Sequence, residues 1–166
     1  MTRDEVLALL NDDPFAQQLL TSRLPARLAY IALDGTPRAI PIAFHFSGQA
    51  FVLATPDIAP KVAALQANPA VALTIDTDTQ PPLALLVRGM ATISFVDGVV
   101  PEYLEANRRM LPEEAWAGFE EQVTFLYDRM ARIEITPTWA KMLDFQTRAP
   151  ETVMKLAAAK GPMPAA

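Results

Sequence analysis

Apolar positions in the first 23 residues recur at helical spacing. Val6, Leu7, Leu9 and Leu10 form one short stripe, and Phe15, Leu19 and Leu20 form a second. Thr2 and Glu5 stand three apart ahead of the first stripe, the spacing of a capping box. Asp13-Pro14 restarts the second, with Asp as N-cap and Pro in the first turn. From Arg27 the period shortens to two. Leu28–Leu33 predicts a strand closed by Asp34-Gly35, a strong hairpin signal, and Arg38–Phe46 predicts the next. Ser47-Gly48 then turns the chain into a strand over Gln49–Thr55. Pro41 cannot donate to a ladder, so part of its strand must lie on an edge or face a ligand.

Pro60–Ala67 predicts a two-turn helix ended by Asn68-Pro69. Val71–Thr77 is a further strand, residues 77–82 a Pro-rich loop, and Leu83–Phe95 a long strand with Gly89 as a bend or bulge. A helical region follows over Pro101–Met130, where Trp116, Phe119, Val123, Leu126 and Met130 keep helical spacing. Arg132–Thr136 and Ala140–Phe145 are the closing strands. About six strands in a meander, with helices inserted at three places, predict an α+β, mainly β protein. Its expected form is a six-stranded antiparallel barrel with peripheral helices. A single domain over residues 1–156 and a frayed tail from 157 to 166 complete the expectation.

Composition narrows the chemistry. The 166 residues include one His and no Cys, which excludes disulfides, thiolate zinc, iron–sulfur clusters and multi-histidine metal sites. With 14 basic and 19 acidic residues the net charge is −5, the wrong sign for a phosphate-backbone binder, so no nucleic-acid partner is expected. No apolar run approaches membrane-spanning length, and charges interrupt the first residues; a cytoplasmic protein without a membrane partner is the expectation. The dinucleotide, P-loop and nucleophile-elbow signatures are all missing. His45 and Ser47 share a strand face, but Ser47 opens a turn and His45 reads as a strand histidine. Asp76 and Asp78 read as solvated acids.

One constellation carries more. On Arg38–Phe46, alternation puts Ile40, Ile42, Phe44 and Phe46 on the core face, and the small residues Ala39, Pro41 and Ala43 opposite, with His45. A face of small side chains admits a flat ligand or a partner subunit. Arg38 stands at the mouth of that strand, Ala54-Thr55 end the following one, and Lys61 lies in the first turn of the next helix. Two cations, a hydroxyl and a helix N-terminus together suit a phosphate. Solvated charges are the alternative reading of the same residues.

The stretch R-x-x-P-x-x-F-x-x-x-G-x-x-F-x-x-A-T-x(5)-K-x-x-x-L-x-x-N-P-x-V-x-L, from Arg38 to Leu73, resembles the flavin-binding split barrels related to pyridoxamine 5′-phosphate oxidase. Val87-Arg88-Gly89 and the Arg132–Pro137 segment fit the same likeness, which covers residues 20–146. The resemblance implies a homodimer binding FMN, or in one branch the deazaflavin F420, at the subunit interface. It implies that Arg38 and Lys61 grip the phosphate and that Thr55 donates to it or to the ribityl chain. The backbone of Ala39, Ile40 and Pro41 would meet the polar edge of the ring, Leu53-Ala54 and Ala84-Leu85 would lie against it, and Trp139 is the candidate cover. Departures from the family pattern argue against vitamin B6 as substrate: Ala43 replaces a substrate-contacting Lys, Ala59-Pro60 replaces a Ser-Arg pair, and no Arg-x-His motif follows. The resemblance therefore points to an FMN-dependent oxidoreductase of a small organic molecule. An F420 reductase using Arg88, Arg108, Arg109 and Arg132 as a basic channel is one alternative. A flavin or haem carrier or sensor is the other, with His45 the sole imidazole for iron.

Overall fold

A computed structural model describes residues 1–145 and 147–160. Two helices open the chain. In α1 (Arg3–Asp12) the Thr2 hydroxyl accepts from the Glu5 amide while the Glu5 carboxylate accepts from the Thr2 amide, the capping box that the spacing predicts. In α2 (Pro14–Leu20) the Asp13 carboxylate accepts from the Phe15 and Ala16 amides, so one residue ends the first helix and starts the second. Val6, Leu10, Ala16 and Leu19 from these helices are buried in the same core as the sheet.

That sheet has seven antiparallel strands: β1 (Ala26–Ile31), β2 (Pro37–Ile42), β3 (His45–Phe46), β4 (Phe51–Pro56), β5 (Ala70–Asp76), β6 (Ala84–Asp97) and β7 (Arg129–Leu143). Their spatial order is β2-β1-β5-β6-β7-β4-β3. The expected strand Arg38–Phe46 is therefore two strands, and they occupy opposite edges. Only Ala43 and Phe44 join them. A flat sheet of this size would hold its edges almost 30 Å apart, whereas three peptide steps reach only about 11 Å. The sheet must roll until its edges meet. It is not closed by hydrogen bonds: no ladder joins β2 to β3 among the described residues. Seven strands with an open seam thus stand where six strands of a split barrel were expected.

The seam is held by a residue from elsewhere. Phe44 is fully buried, and the Arg109 guanidinium donates to its carbonyl at 2.9 Å and to that of Leu20 at 3.2 Å. The same guanidinium lies 4.5 Å over the Phe44 ring. Arg109 comes from α4 (Pro101–Met110), which packs on β4 and β3. The helical region expected over Pro101–Met130 is two helices that part at Leu111-Pro112, since Pro lacks the N–H and restricts the residue before it. α5 (Glu113–Leu126) follows, and Met130 already belongs to β7.

The two expected closing strands are one. β7 runs through Pro137, where the chain bulges: Arg88 pairs Trp139 and Gly89 pairs Pro137, leaving Thr138 over. A Pro without a donor resembles a strand end in the sequence, and the extra residue accommodates it. At the tail, α6 (Glu151–Lys160) carries residues 157–160 that were expected to fray; residues 161–166 lie outside the described residues.

Gly89 sits at the bulge for a steric reason. A Cβ there would stand 2.6 Å from the Thr136 carbonyl oxygen and 2.7 Å from Ile135 Cγ2. Because the first contact is backbone, no rotamer change relieves it. Gly89→Ala is expected to destabilise by about 2–3 kcal/mol and to lower Tm by roughly 5–10 °C. An unchanged melting temperature would contradict this packing.

Candidate functional site

The helix α3 (Pro60–Ala67) leaves the end of β4, and its first turn lies over the strand's last buried hydroxyl. Thr55 is 5% exposed, and Lys61 Nζ donates to its Oγ1 at 3.1 Å. The Lys61 side chain is half-buried, and burial pushes its ammonium below the usual lysine range. No carboxylate approaches it: among the described residues Lys61 takes part in no ion pair, although ten such pairs form elsewhere. Helix α3 adds to the positive potential. Its N-cap, Ala59, supplies no side-chain acceptor, Pro60 has no N–H, and the Val62 amide reaches back to the Ala59 carbonyl at 2.9 Å. The corner is thus an ammonium, a hydroxyl and a helix N-terminus without a counter-charge, the donor set that fits a phosphate.

Arg38 is not in contact with Lys61. Its guanidinium pairs with Asp34 at 2.9 Å and also donates to the Thr36 hydroxyl. Hydrogen bonds from Thr36, more than Arg38 itself, hold the Asp34 carboxyl below its ordinary value. The Arg38–Asp34 pair is largely solvated and therefore weak. Arg38 and Pro60 nevertheless line one cleft of about 340 Å³ together with Tyr30 and Ala63. The first turn of α3 and the β2 edge thus share a wall.

The ladder shows which backbone groups of β2 face outward. Ala32 donates to the Thr36 carbonyl at 3.0 Å, so that pair is hydrogen-bonded, and alternation makes Tyr30–Arg38 and Leu28–Ile40 hydrogen-bonded too. Pro37, Ala39 and Pro41 fall on the intervening positions. The prolines therefore lose no ladder bond, and Ala39 turns its N–H and carbonyl to the free edge with the Pro41 carbonyl beside them. Ile40, by contrast, directs its backbone groups at Leu28.

Across the outer face of the sheet runs one row in register: Ala39, Ala29, Ala72, Arg88, Trp139. Three alanines floor it, and the Arg88 guanidinium lies 4.5 Å over the Trp139 ring. An apolar hollow of about 400 Å³ occupies this face, with Arg38 at its rim. Leu53 and Leu85 point the other way, into the core, at 1% and 0% exposure. Ala54 packs beneath α4 with Val100 and Met130, and Ala84 is half-buried between Asp76 and Leu143. The structure thus brings Thr55 and Lys61 together, sets Arg38 and Ala39 along an adjoining edge, places Trp139 on the open face, and leaves the two leucines in the interior.

The four arginines of the basic channel do not assemble. Arg108 pairs with Glu113 at 2.9 Å, Arg132 bridges Glu102 and Glu134 at 2.8 Å each, and Arg109 holds the seam. Only Arg88 faces the hollow. His45 pairs with Glu105 at 2.9 Å, Asp76 with Arg27, and Ser47 closes its own turn on Ala50. No metal-binding cluster occurs among the described residues, and none of their helices is long and apolar enough to cross a membrane. Sequence reasoning missed Arg109 as the seam clamp, because nothing local marks its carbonyl partners, 65 and 89 residues away.

No protein-family model matches the sequence, and no curated protein does. Solved structures do. An F420 reductase is 27% identical over 75% of this chain and 94% of its own, with a TM-score of 0.58. A Listeria innocua protein provisionally assigned as a pyridoxamine 5′-phosphate oxidase is 18% identical over 86% of this chain and 98% of its own, with a TM-score of 0.51. The haem storage protein of Vibrio cholerae is 17% identical over 80% of this chain and 93% of its own, at 0.56.

The desolvated lysine makes a linkage prediction. Its pKa is lower folded than unfolded, so the unfolded state holds more protons near alkaline pH and stability must rise as pH climbs toward 10.5. Lys61→Met removes both the penalty and its relief. The ligand-free variant is expected to be at least as stable as the parent at pH 7 and to lack the parent's alkaline gain, read as Tm against pH. A variant that is much less stable at pH 7 would mean that Lys61 is a structural cation rather than a binding one. With the geometry and the comparisons together, the chain has the pyridoxamine 5′-phosphate oxidase-like fold that its Arg38–Leu73 motif resembles.

Proposed function

We propose that this protein is an FMN-binding oxidoreductase acting on a small organic molecule other than vitamin B6. The observation that carries the reading is Lys61, a half-buried ammonium bonded to Thr55 and left without a carboxylate. A bound flavin supplies the hydride-carrying centre, and the protein's part is to bind, orient and exclude water. Lys61 and Thr55 receive the phosphate at the start of α3, and Arg38 joins them by leaving its weak pair with Asp34. Ala39 and Pro41 offer the ring's polar edge a donor and carbonyl acceptors from the free side of β2. None of these groups needs to move a proton at the reacting atom, which agrees with a site that holds no general acid or base.

The reading includes a homodimer. The alanine-floored row with Arg88 and Trp139 is a wide sheet face, half-exposed in one chain, and a second subunit laid on it would bring Trp139 over the partner's ring. The 27% likeness to an F420 reductase favours a second reading, a deazaflavin in the same place. Against it stands the dispersal of the arginines, which leaves the acidic tail of F420 little to follow.

Titration of the purified protein with FMN and with F420 in parallel, followed by cofactor fluorescence, decides between them. FMN is expected to bind, with Lys61→Ala weakening it about 10–100-fold and Arg38→Ala a few-fold, as loss of charge-assisted hydrogen bonds implies. Binding of F420 alone would favour the second reading. Undiminished FMN binding after both substitutions would overturn the phosphate assignment.

A further inference from the structure

The hollow on the outer face of the sheet carries a charge opposite to that of the chain as a whole. It holds about 400 Å³, toward the small end of ligand pockets, and no acidic residue lines it. Its only charged residues are Arg38 at the rim and Arg88 in the wall, in a protein whose net charge is −5. Arg38 is already paired with Asp34. Arg88 is different: among the described residues its guanidinium enters no ion pair. The Thr138 hydroxyl, at 3.3 Å, reaches its backbone carbonyl instead. The guanidinium lies 4.5 Å over the Trp139 ring, an arrangement that leaves its in-plane N–H donors for an acceptor at its edge.

The bulge in β7 is what creates this pair. Gly89 faces Pro137, so an uninterrupted ladder would set Arg88 against Thr138 and Val87 against Trp139. Val87 is 1% exposed, in the core, and Trp139 would share its inward side. The extra residue shifts the register by one. Ala140 then takes the buried place opposite Val87, and Trp139 comes to the outer face against Arg88.

We propose that this hollow binds a small organic monocarboxylate, with the carboxylate on Arg88 and the apolar body against Ala29, Ala72 and Met90. A guanidinium fork matches the two oxygens of a carboxylate. One cation without a counter-charge, and with no helix end lining the hollow, balances a single negative charge. A dianionic phosphate is better served by Lys61 and the start of α3. The walls favour a hydrocarbon body over a polyol, since Met90 is 46% exposed there and alanines form the floor. Under the flavin reading, a molecule held here lies beside the ring that Trp139 covers and is the substrate. That role rests on the reading, whereas the binding of the acid does not.

The test is made on the full chain without flavin. Calorimetric titrations with benzoate, cinnamate and hexanoate are compared with titrations of the corresponding amides, which keep the shape and lose the charge. At least one acid is expected to bind about 10-fold more tightly than its amide, as one charge-assisted hydrogen-bonded pair gives. Arg88 is exposed, so Arg88→Met spares the core; it is expected to erase the preference, while Lys61→Met leaves it. A far-ultraviolet spectrum matching the parent's establishes that each variant is folded. No preference for any acid over its amide, or one that survives Arg88→Met, would overturn the proposal. So would a preference lost in Lys61→Met, since the acid would then sit at the phosphate corner. FMN titration of the same preparations reads the flavin assignment separately. Absent FMN binding with the Arg88-dependent preference intact would leave the acid site and remove only its role as a substrate site.

Discussion

An ammonium that is half-buried and unaccompanied is the feature on which this account rests. Desolvation lowers the stability of the charged form of Lys61, and a nearby carboxylate would be the ordinary remedy. The fold supplies a hydroxyl instead. Thr55 accepts one of the lysine's hydrogen bonds, which leaves the ammonium its charge and its other N–H donors for the space before α3. A neutral or cationic ligand gains nothing there. An anion with several acceptor oxygens gains most, because every group at the corner strengthens when charge is taken up in a poorly solvated place.

The corner exists because of how the sheet is rolled. β2 and β3 are consecutive in the chain yet lie at opposite ends of the ladder, and two residues carry the backbone between them. That arrangement leaves the outer side of β2 unladdered, so Ala39 can present backbone groups and Pro37 and Pro41 can sit there without loss. It also leaves the crossing carbonyl of Phe44 in need of a donor, which Arg109 provides from α4. The open edge that makes the site and the clamp that steadies it are therefore one solution to a single topological problem. On the outer face, α4 covers the β4 side, where Ala54 meets Val100 and Met130, and the alanine row with Arg88 and Trp139 is left for something else.

Much of this was legible along the chain. The Thr2/Glu5 box, the Asp13-Pro14 restart, α3 between Pro60 and Ala67, and the bulge at Gly89 all follow from local chemistry, and local chemistry is what a sequence displays. Pro41 announced its edge for the same reason. The errors share a cause as well. The alternation of Arg38–Phe46 is continuous, and nothing in it tells that the partner strands change sides at Ala43, since pairing is non-local. Pro137 imitated a strand end because the compensating residue, Thr138, bulges only against Arg88 and Gly89. The resemblance puts Leu53 and Leu85 against the ring, yet both face the interior, and a pattern of residue types does not state which side of a pleat is wet. Arg109 was read by its charge, whereas its partners are carbonyls distant in sequence.

The central claim is that the site recognises a phosphate and not merely a flat ring. The most direct measurement is the affinity of the purified protein for FMN and for riboflavin, which differ by the phosphate alone, in the parent and in Lys61→Met. The account predicts that the parent binds FMN at least ~10-fold more tightly than riboflavin, as one charge-assisted hydrogen bond would give, and that the difference nearly disappears in the variant. Equal affinities in the parent, or a preference that survives the loss of Lys61, would contradict it.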